Sequence, residues 1–136
     1  MSNSDMVNDI ENLHTKFGVN KRVKDFDKET LRTFFEFRLK FLKEEMQEIE
    51  DAWNEGDFDG VVDGLTDLNV VSLGTMNAFD VNPNLAWDRV HTANMQKEPG
   101  IKPSRPNPLG LPDMIKPEGW TAPSHADNIG LFAKLK

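Results

Sequence analysis

The chain has 136 residues, 38% hydrophobic and 29% charged, with a formal net charge of −7 and no cysteine. That length fits a single domain. The acidic balance argues against a partner that is a nucleic-acid polymer, which calls for a basic field, and the missing cysteines exclude disulfides, thiolate zinc sites and cysteine nucleophiles.

Residues 5–17 read as a first helix, with Val7, Ile10, Leu13 and Phe17 at three- and four-residue steps and Gly18 as its stop. Residues 19–27 are polar and basic and read as a connection. Asp27 is an N-cap residue for a long helix over about 28–55, whose apolar positions are Leu31, Phe34, Phe35, Phe41, Leu42, Met46, Ile49 and Trp53. Gly56 ends it and Asp57 caps a third helix over about 58–80. Leu68 to Phe79 is apolar on nearly all sides and carries Ser72, Gly74 and Ala78, as a central, closely approached helix would. Asn82-Pro83 opens a fourth helix over about 83–97, and Glu98-Pro99-Gly100 stops it.

Seven of the eight prolines follow, from Pro99 to Pro123, which predicts neither helix nor sheet. Leu109, Leu111, Met114, Ile115, Trp120, Ile129, Leu131 and Phe132 are apolar anchors that a free tail would not need. The expected organisation is therefore an all-α four-helix bundle over 1–98, with an extended arm over 99–136 that packs on the helices or on a partner subunit. Trp53, Trp87 and Trp120 read as packing anchors. No apolar run reaches the roughly 18 residues of a membrane span. Met1-Ser2-Asn3-Ser4-Asp5 lacks the basic start and apolar stretch of a secretory signal. A cytoplasmic protein with no membrane partner is the expectation.

The charge is uneven. Residues 1–43 carry a balance of +2 and residues 89–136 one of +3, whereas residues 44–88 hold twelve Asp/Glu and no Lys or Arg. On the long helix Phe41, Glu45, Glu48 and Ala52 share a stripe, with Arg38 further back on the same side and Glu44 beside it. On the third helix Asp63 and Asp67 lie one turn apart, above Val70, Val71, Gly74 and Ala78. Carboxylates aligned with apolar stripes are costly unless neutralised. The segment offers no cation, and Arg38 could serve one or two acids at most. A divalent ion is the better answer, and hard oxygen donors from two facing helices suit Mg²⁺, or Mn²⁺ in its place. A di-iron bundle would need Glu-x-x-His on two helices; Glu11 to His14 is one such spacing, and there is no second.

Glu44-Glu45-Met46-Gln47-Glu48 followed by Asp63-Gly64-Leu65-Thr66-Asp67 resembles the E-E-x-x-E … acidic-x-x-D pattern of the all-α nucleoside triphosphate pyrophosphohydrolases. That superfamily includes MazG proteins, dimeric dUTPases, dCTP pyrophosphatases and phosphoribosyl-ATP pyrophosphohydrolase. Leu13-His14-x-Lys16-Phe17-Gly18, Arg38, Gly74-Thr75 and Val90-His91-x-x-Asn94-Met95-x-Lys97 are similar to a short MazG-like branch, so the resemblance spans about residues 10–97. It departs at Gly64, where many members carry Glu three residues before the final Asp; Asp63, four before Asp67, shares its face and could reach the same ion.

The resemblance implies Mg²⁺-dependent hydrolysis of a nucleoside triphosphate between its α and β phosphates. It places Glu45, Glu48, Asp63 and Asp67 at the metal and Glu44, Glu45 and Glu48 in catalysis. Arg38, Asn94, Lys97, His91 and His14 would meet phosphate or substrate. Separately, the third helix is apolar on too many sides for one small bundle to cover, which leads to the expectation of a homodimer or homotetramer. The competing expectation, kept open by Gly64, is a non-catalytic helical module that binds nucleotide or protein.

Overall fold

The computed structural model describes residues 5–136, and these are mostly helical. They form two compact units, one of the residues up to Pro83 together with Ile129–Lys136, the other Asn84–Asn128. No described helix is long and apolar enough to cross a membrane.

The first unit contains α1 (Met6–Phe17), α2 (Val19–Val23), α3 (Lys28–Asn54), α4 (Phe58–Ala78) and a 3₁₀ turn over Gly130–Leu135. The caps form where the sequence places them. Asp27 accepts from the Thr30 amide at 2.8 Å, and Asp57 accepts from the Gly60 amide at 2.9 Å. Gly56 takes a left-handed φ of 70°, and the following Asp57 amide reaches back to the Ala52 carbonyl at 2.9 Å. This tight turn folds α4 back along α3, and the two make the principal packed pair of the unit. α1 and α2 pack on α4. The basic connection expected over residues 19–27 contains α2, a short helix that turns Val23 into the core.

Val23, Leu31, Ala78 and Phe79 form the centre of the core. Phe79 stacks on Phe132 with ring centroids 4.0 Å apart, and Phe35 meets Phe132 edge-on at 5.2 Å. The Leu131 amide donates to the Phe79 carbonyl at 2.7 Å. The last eight residues thus belong to the helical core. Burying aromatics of this size dominates the hydrophobic stabilisation of a unit this small.

Two expected anchors behave otherwise: Met46 and Trp53 on α3 are exposed, Trp53 by 64%. Trp53 meets only the equally exposed Phe58 ring among the described aromatic contacts, at 6.0 Å.

The second unit holds α5 (Pro83–Met95) from its second residue, and the strands β1 (Glu98–Gly100) and β2 (Asp113–Ile115). The strands pair antiparallel, with Pro99 opposite Met114. The sequence predicts no sheet here because of its prolines. A two-stranded ladder, however, leaves each strand a free edge, where a residue without an N–H costs no bond. Arg105 closes the intervening loop on Asp113 at 2.7 Å. Trp120 Nε1 donates to the Ala93 carbonyl at 2.8 Å, near the end of α5. Arg89 grips both carboxylate oxygens of Asp127 at 2.6 and 2.9 Å, and these bonds pull the Asp127 carboxyl down to about 2. Leu109, Leu111 and Met114, expected as anchors, are exposed, as is Trp87.

Candidate active site

The α3–α4 hairpin brings the acids of the two helices together. A cavity of about 290 Å³ lies between them, lined by Glu48, Asp51 and Glu55 from α3 and its cap, and by Asp57, Asp63 and Asp67 from the α4 side. Two of these serve the fold: Asp57 caps α4, and Asp51 accepts from Gln47 Nε2 at 2.9 Å. Asp63 and Asp67 form no hydrogen bond or ion pair among the described residues, whereas the Glu48 carboxyl is within hydrogen-bonding reach of the Glu45 carboxyl.

Glu45 is the acid that α3 turns inward. It is only 8% exposed, and its Oε2 is buried without a hydrogen-bond partner. Burial pushes its carboxyl above the ordinary range, and the negative charges of Glu48, Asp67 and Asp63 push it further. The expectation that Glu45, Glu48, Asp63 and Asp67 lie on the buried side holds unevenly: Glu45 is buried and Asp67 half-buried, whereas Glu48 and Asp63 are exposed along the cavity, and Glu44 beside Glu45 is exposed as well. A carboxylate at the surface keeps its hydration, so the desolvation penalty falls on Glu45.

Gly64 is buried where α4 crosses α3. A Cβ added there would stand 2.7 Å from Ile49 Cγ1. Ile49 is β-branched and stiff at χ1, so any larger side chain has to displace the helix contact. The missing acid of the family pattern is thus the residue that lets α4 approach α3.

Arg38 does not neutralise the glutamates. Its Nε donates to Thr75 Oγ1 at 2.9 Å and its Nη2 to the Val71 carbonyl at 3.0 Å, while Thr75 Oγ1 itself donates to Val71. The guanidinium carbon lies 5.7 Å from the centre of the Phe41 ring. Burial lowers the guanidinium's pKa from its ordinary value, yet it stays a cation. It makes no ion pair among the described residues. His14 is buried beside it: Arg38 Nη2 and His14 Nε2 lie 2.6 and 3.0 Å from the point a Cβ at Gly74 would occupy.

His91, Asn94 and Lys97 lie on α5 and just beyond it, in the second unit. His91 is exposed, and Asn94 and Lys97 are half-buried. The Lys97 ammonium is 5.0 Å from the Trp120 ring centre, with Lys116 at 5.2 Å from the same ring. Trp120 thereby sets the position of a lysine the motif singles out, a link made by packing across 23 residues that no local pattern announces.

Sequence reasoning also misses Asp51 and Glu55, although their three- and seven-residue spacing from Glu48 places them on its face. Asn20 and Asn77 escape it as well, being joined across 57 positions.

The donor set suits a hard divalent cation, and the buried, partnerless Glu45 oxygen is the kind of group such an ion satisfies. Among the described residues no three His, Asp or Glu side chains are already closed around one point. The acids ring the cavity instead.

The family model described as phosphoribosyl-ATP pyrophosphohydrolase matches residues 11–94. That span contains the E-E-x-x-E segment, Asp63, Asp67, Arg38 and the start of the last helical motif. No curated protein matches the chain.

Proposed function

Since the chain belongs to the phosphoribosyl-ATP pyrophosphohydrolase family, we propose that it is a nucleotide pyrophosphohydrolase acting on (deoxy)nucleoside triphosphates. Water adds across the α–β phosphoanhydride bond, and nucleoside monophosphate and pyrophosphate leave. The observation that carries this reading is the buried Glu45 oxygen, left without a partner amid Glu48, Asp63 and Asp67. Those four residues would hold Mg²⁺, or Mn²⁺ in its place. A bound ion there supplies charge to offset the phosphates and to acidify water at neutral pH.

The chain's own groups do the rest. Glu44, exposed next to Glu45 on α3, orients the attacking water and takes its proton. Glu45 and Glu48 keep the negative field that attracts the cation. Arg38, fixed by Thr75 and Val71, presents its unused N–H donors to substrate. The phosphate contacts of Asn94 and Lys97, and the substrate contact of His91, belong to the same proposal and rest on the motif.

Incubation with a panel of nucleoside and deoxynucleoside triphosphates, and with phosphoribosyl-ATP, in the presence of Mg²⁺ or Mn²⁺ tests the activity. Equal amounts of monophosphate and pyrophosphate are expected from at least one of them. Release of single phosphate identifies a different reaction. Thermal stabilisation by nucleotide without turnover identifies a binding module.

We further propose that the molecule is a homodimer or homotetramer. Phe58, Val62 and Leu65 form an i, i+4, i+7 stripe on α4 and are all exposed, Val62 by 65%, and Trp53 lies against Phe58 at 6.0 Å. A stripe of this kind on a helix is a packing face without its partner. Light scattering at micromolar concentration should give a dimer or larger, and Val62→Glu with Leu65→Glu should yield monomer. A wild-type monomer at that concentration removes the proposal.

A further inference from the structure

A second cavity of the first unit, of about 340 Å³, lies among α1, α2 and the end of α4, apart from the acidic motif. That is room for a purine base. Its polar walls include Glu11, Asn20, Lys24, Asn77 and Asp80. A relay orients the two amides. Asn20 turns its Oδ1 to His14 Nδ1 at 3.0 Å and donates through Nδ2 to Asn77 Oδ1 at 2.7 Å. The Asn77 oxygen is thereby taken. Its Nδ2 makes no hydrogen bond among the described residues, so a donor is what Asn77 has left for the cavity.

Asp80 lines the same cavity from a backbone conformation that favours glycine. Its φ is 58°, and it is the one non-glycine residue with a positive φ among those described. The Val81 amide closes on the Met76 carbonyl at 2.9 Å and the Asp80 amide on the Asn77 carbonyl at 3.0 Å, the helix ending in which glycine ordinarily stands at this position. Gly130 packs against the turn: a Cβ there would stand 2.7 Å from the Asp80 carbonyl oxygen. A short carboxylate is thus carried on a rigid turn, and no ion pair among the described residues involves Glu11, Lys24 or Asp80.

A carboxylate only accepts, and an amide N–H and an ammonium only donate. Among the common nucleobases guanine alone sets two adjacent donors, N1–H and the N2 amine, beside a carbonyl acceptor, O6. Adenine and cytosine turn a ring lone pair toward the carboxylate, and thymine and uracil offer a single N–H. The reach to the acids also fits. Asp63, Val70 and Asn77 follow one another at seven-residue steps along one side of α4, and Val70 between them is exposed. Ten residues of helix put Asn77 about 15 Å from Asp67, a span that an extended nucleoside triphosphate covers.

We propose that this cavity is the base pocket of the substrate and selects guanine, with Asp80 accepting from N1–H and the N2 amine, and Asn77 Nδ2 and Lys24 donating to O6. This rests on the nucleotide reading of the acidic cavity. Among triphosphates dGTP should show the highest kcat/KM. Its analogue dITP, which lacks the N2 amine, should lose about tenfold, mostly in KM, the size of one charge-assisted hydrogen bond, and dATP about a hundredfold. Asp80→Asn offers an N–H to the second carbonyl of xanthine and should move the preference from dGTP toward dXTP by about tenfold, a switch that a purely structural role does not produce. Asp80→Gly keeps the turn, because glycine takes a positive φ freely. It should melt close to the wild type and treat dGTP and dITP within about twofold of each other. Nitrogen-15 NMR of the full chain reads the pocket without turnover: dGMP should shift the Asn77 side-chain amide signal, and dAMP should leave it nearly in place. Equal kcat/KM for dGTP, dITP and dATP in the wild type, or an unchanged dGTP preference in both Asp80 variants, overturns the proposal. If no triphosphate is hydrolysed, the pyrophosphohydrolase reading fails alone; calorimetric affinities for the same nucleotides in Mg²⁺ then decide the pocket, and no binding, or binding indifferent to the base, overturns it.

Discussion

Glu48→Gln and Asp67→Asn should each lower the rate of pyrophosphate release about a thousandfold at saturating Mg²⁺, the equivalent of about 4 kcal/mol of transition-state stabilisation. Both carboxylates line the 290 Å³ cavity from opposite helices, and neither makes an ion pair among the described residues. The amide isosteres keep shape and remove charge, so the fold should stay intact. Steady-state kinetics over a Mg²⁺ titration measures the effect, and circular dichroism confirms the fold. Rates within tenfold of wild type in both variants would remove these acids from the reaction. Asp51→Asn serves as a control on the same cavity wall: its carboxylate is engaged by Gln47, and a much smaller loss is expected.

Glu45→Gln should separate stability from function. In the folded chain the Glu45 carboxyl is raised, by burial first and then by its acidic neighbours. The folded state therefore holds a proton that the unfolded state has already released. Stability consequently falls as pH rises from the ordinary carboxylate range through the raised value, and at neutral pH the metal-free fold carries that cost. Glutamine removes the charge. In EDTA at pH 7.5 the variant should melt about 3–5 °C above the wild type, the effect of roughly 1 kcal/mol in a chain of this size. Magnesium should then raise the wild-type melting temperature and leave the variant nearly unmoved, and activity should be lost. Scanning calorimetry with and without Mg²⁺ reads both effects; a variant less stable than wild type in EDTA would show that Glu45 is a structural acid.

The helices were legible because their signals are local. Asp27 and Asp57 cap by bonding amides three residues on, Gly56 permits the left-handed turn, and apolar spacing marks the buried face. The acidic motif was legible for the same reason, since E-E-x-x-E and Asp63 with Asp67 are spacings within single helices. Which of those acids would be buried was not, because spacing places a residue on a face without saying how far the neighbouring helix covers it. Only Glu45 is enclosed; Glu48, the next turn along α3, is exposed. Gly64 had read as a missing ligand, whereas its bare Cα is the contact that brings α4 onto Ile49.

The sequence alone determined an all-α chain with a dense acidic segment on two successive helices, because caps, turns and periodicity act over a few residues. Tertiary structure decided what those helices meet. It drew Leu131 and Phe132 back onto Phe79, withdrew Arg38 from the glutamates to Thr75 and Val71, and joined Asn20 to Asn77 across 57 positions. These are contacts between distant segments, chosen by how much apolar surface the whole chain can bury and by which buried polar atoms can find partners, and no local pattern encodes them.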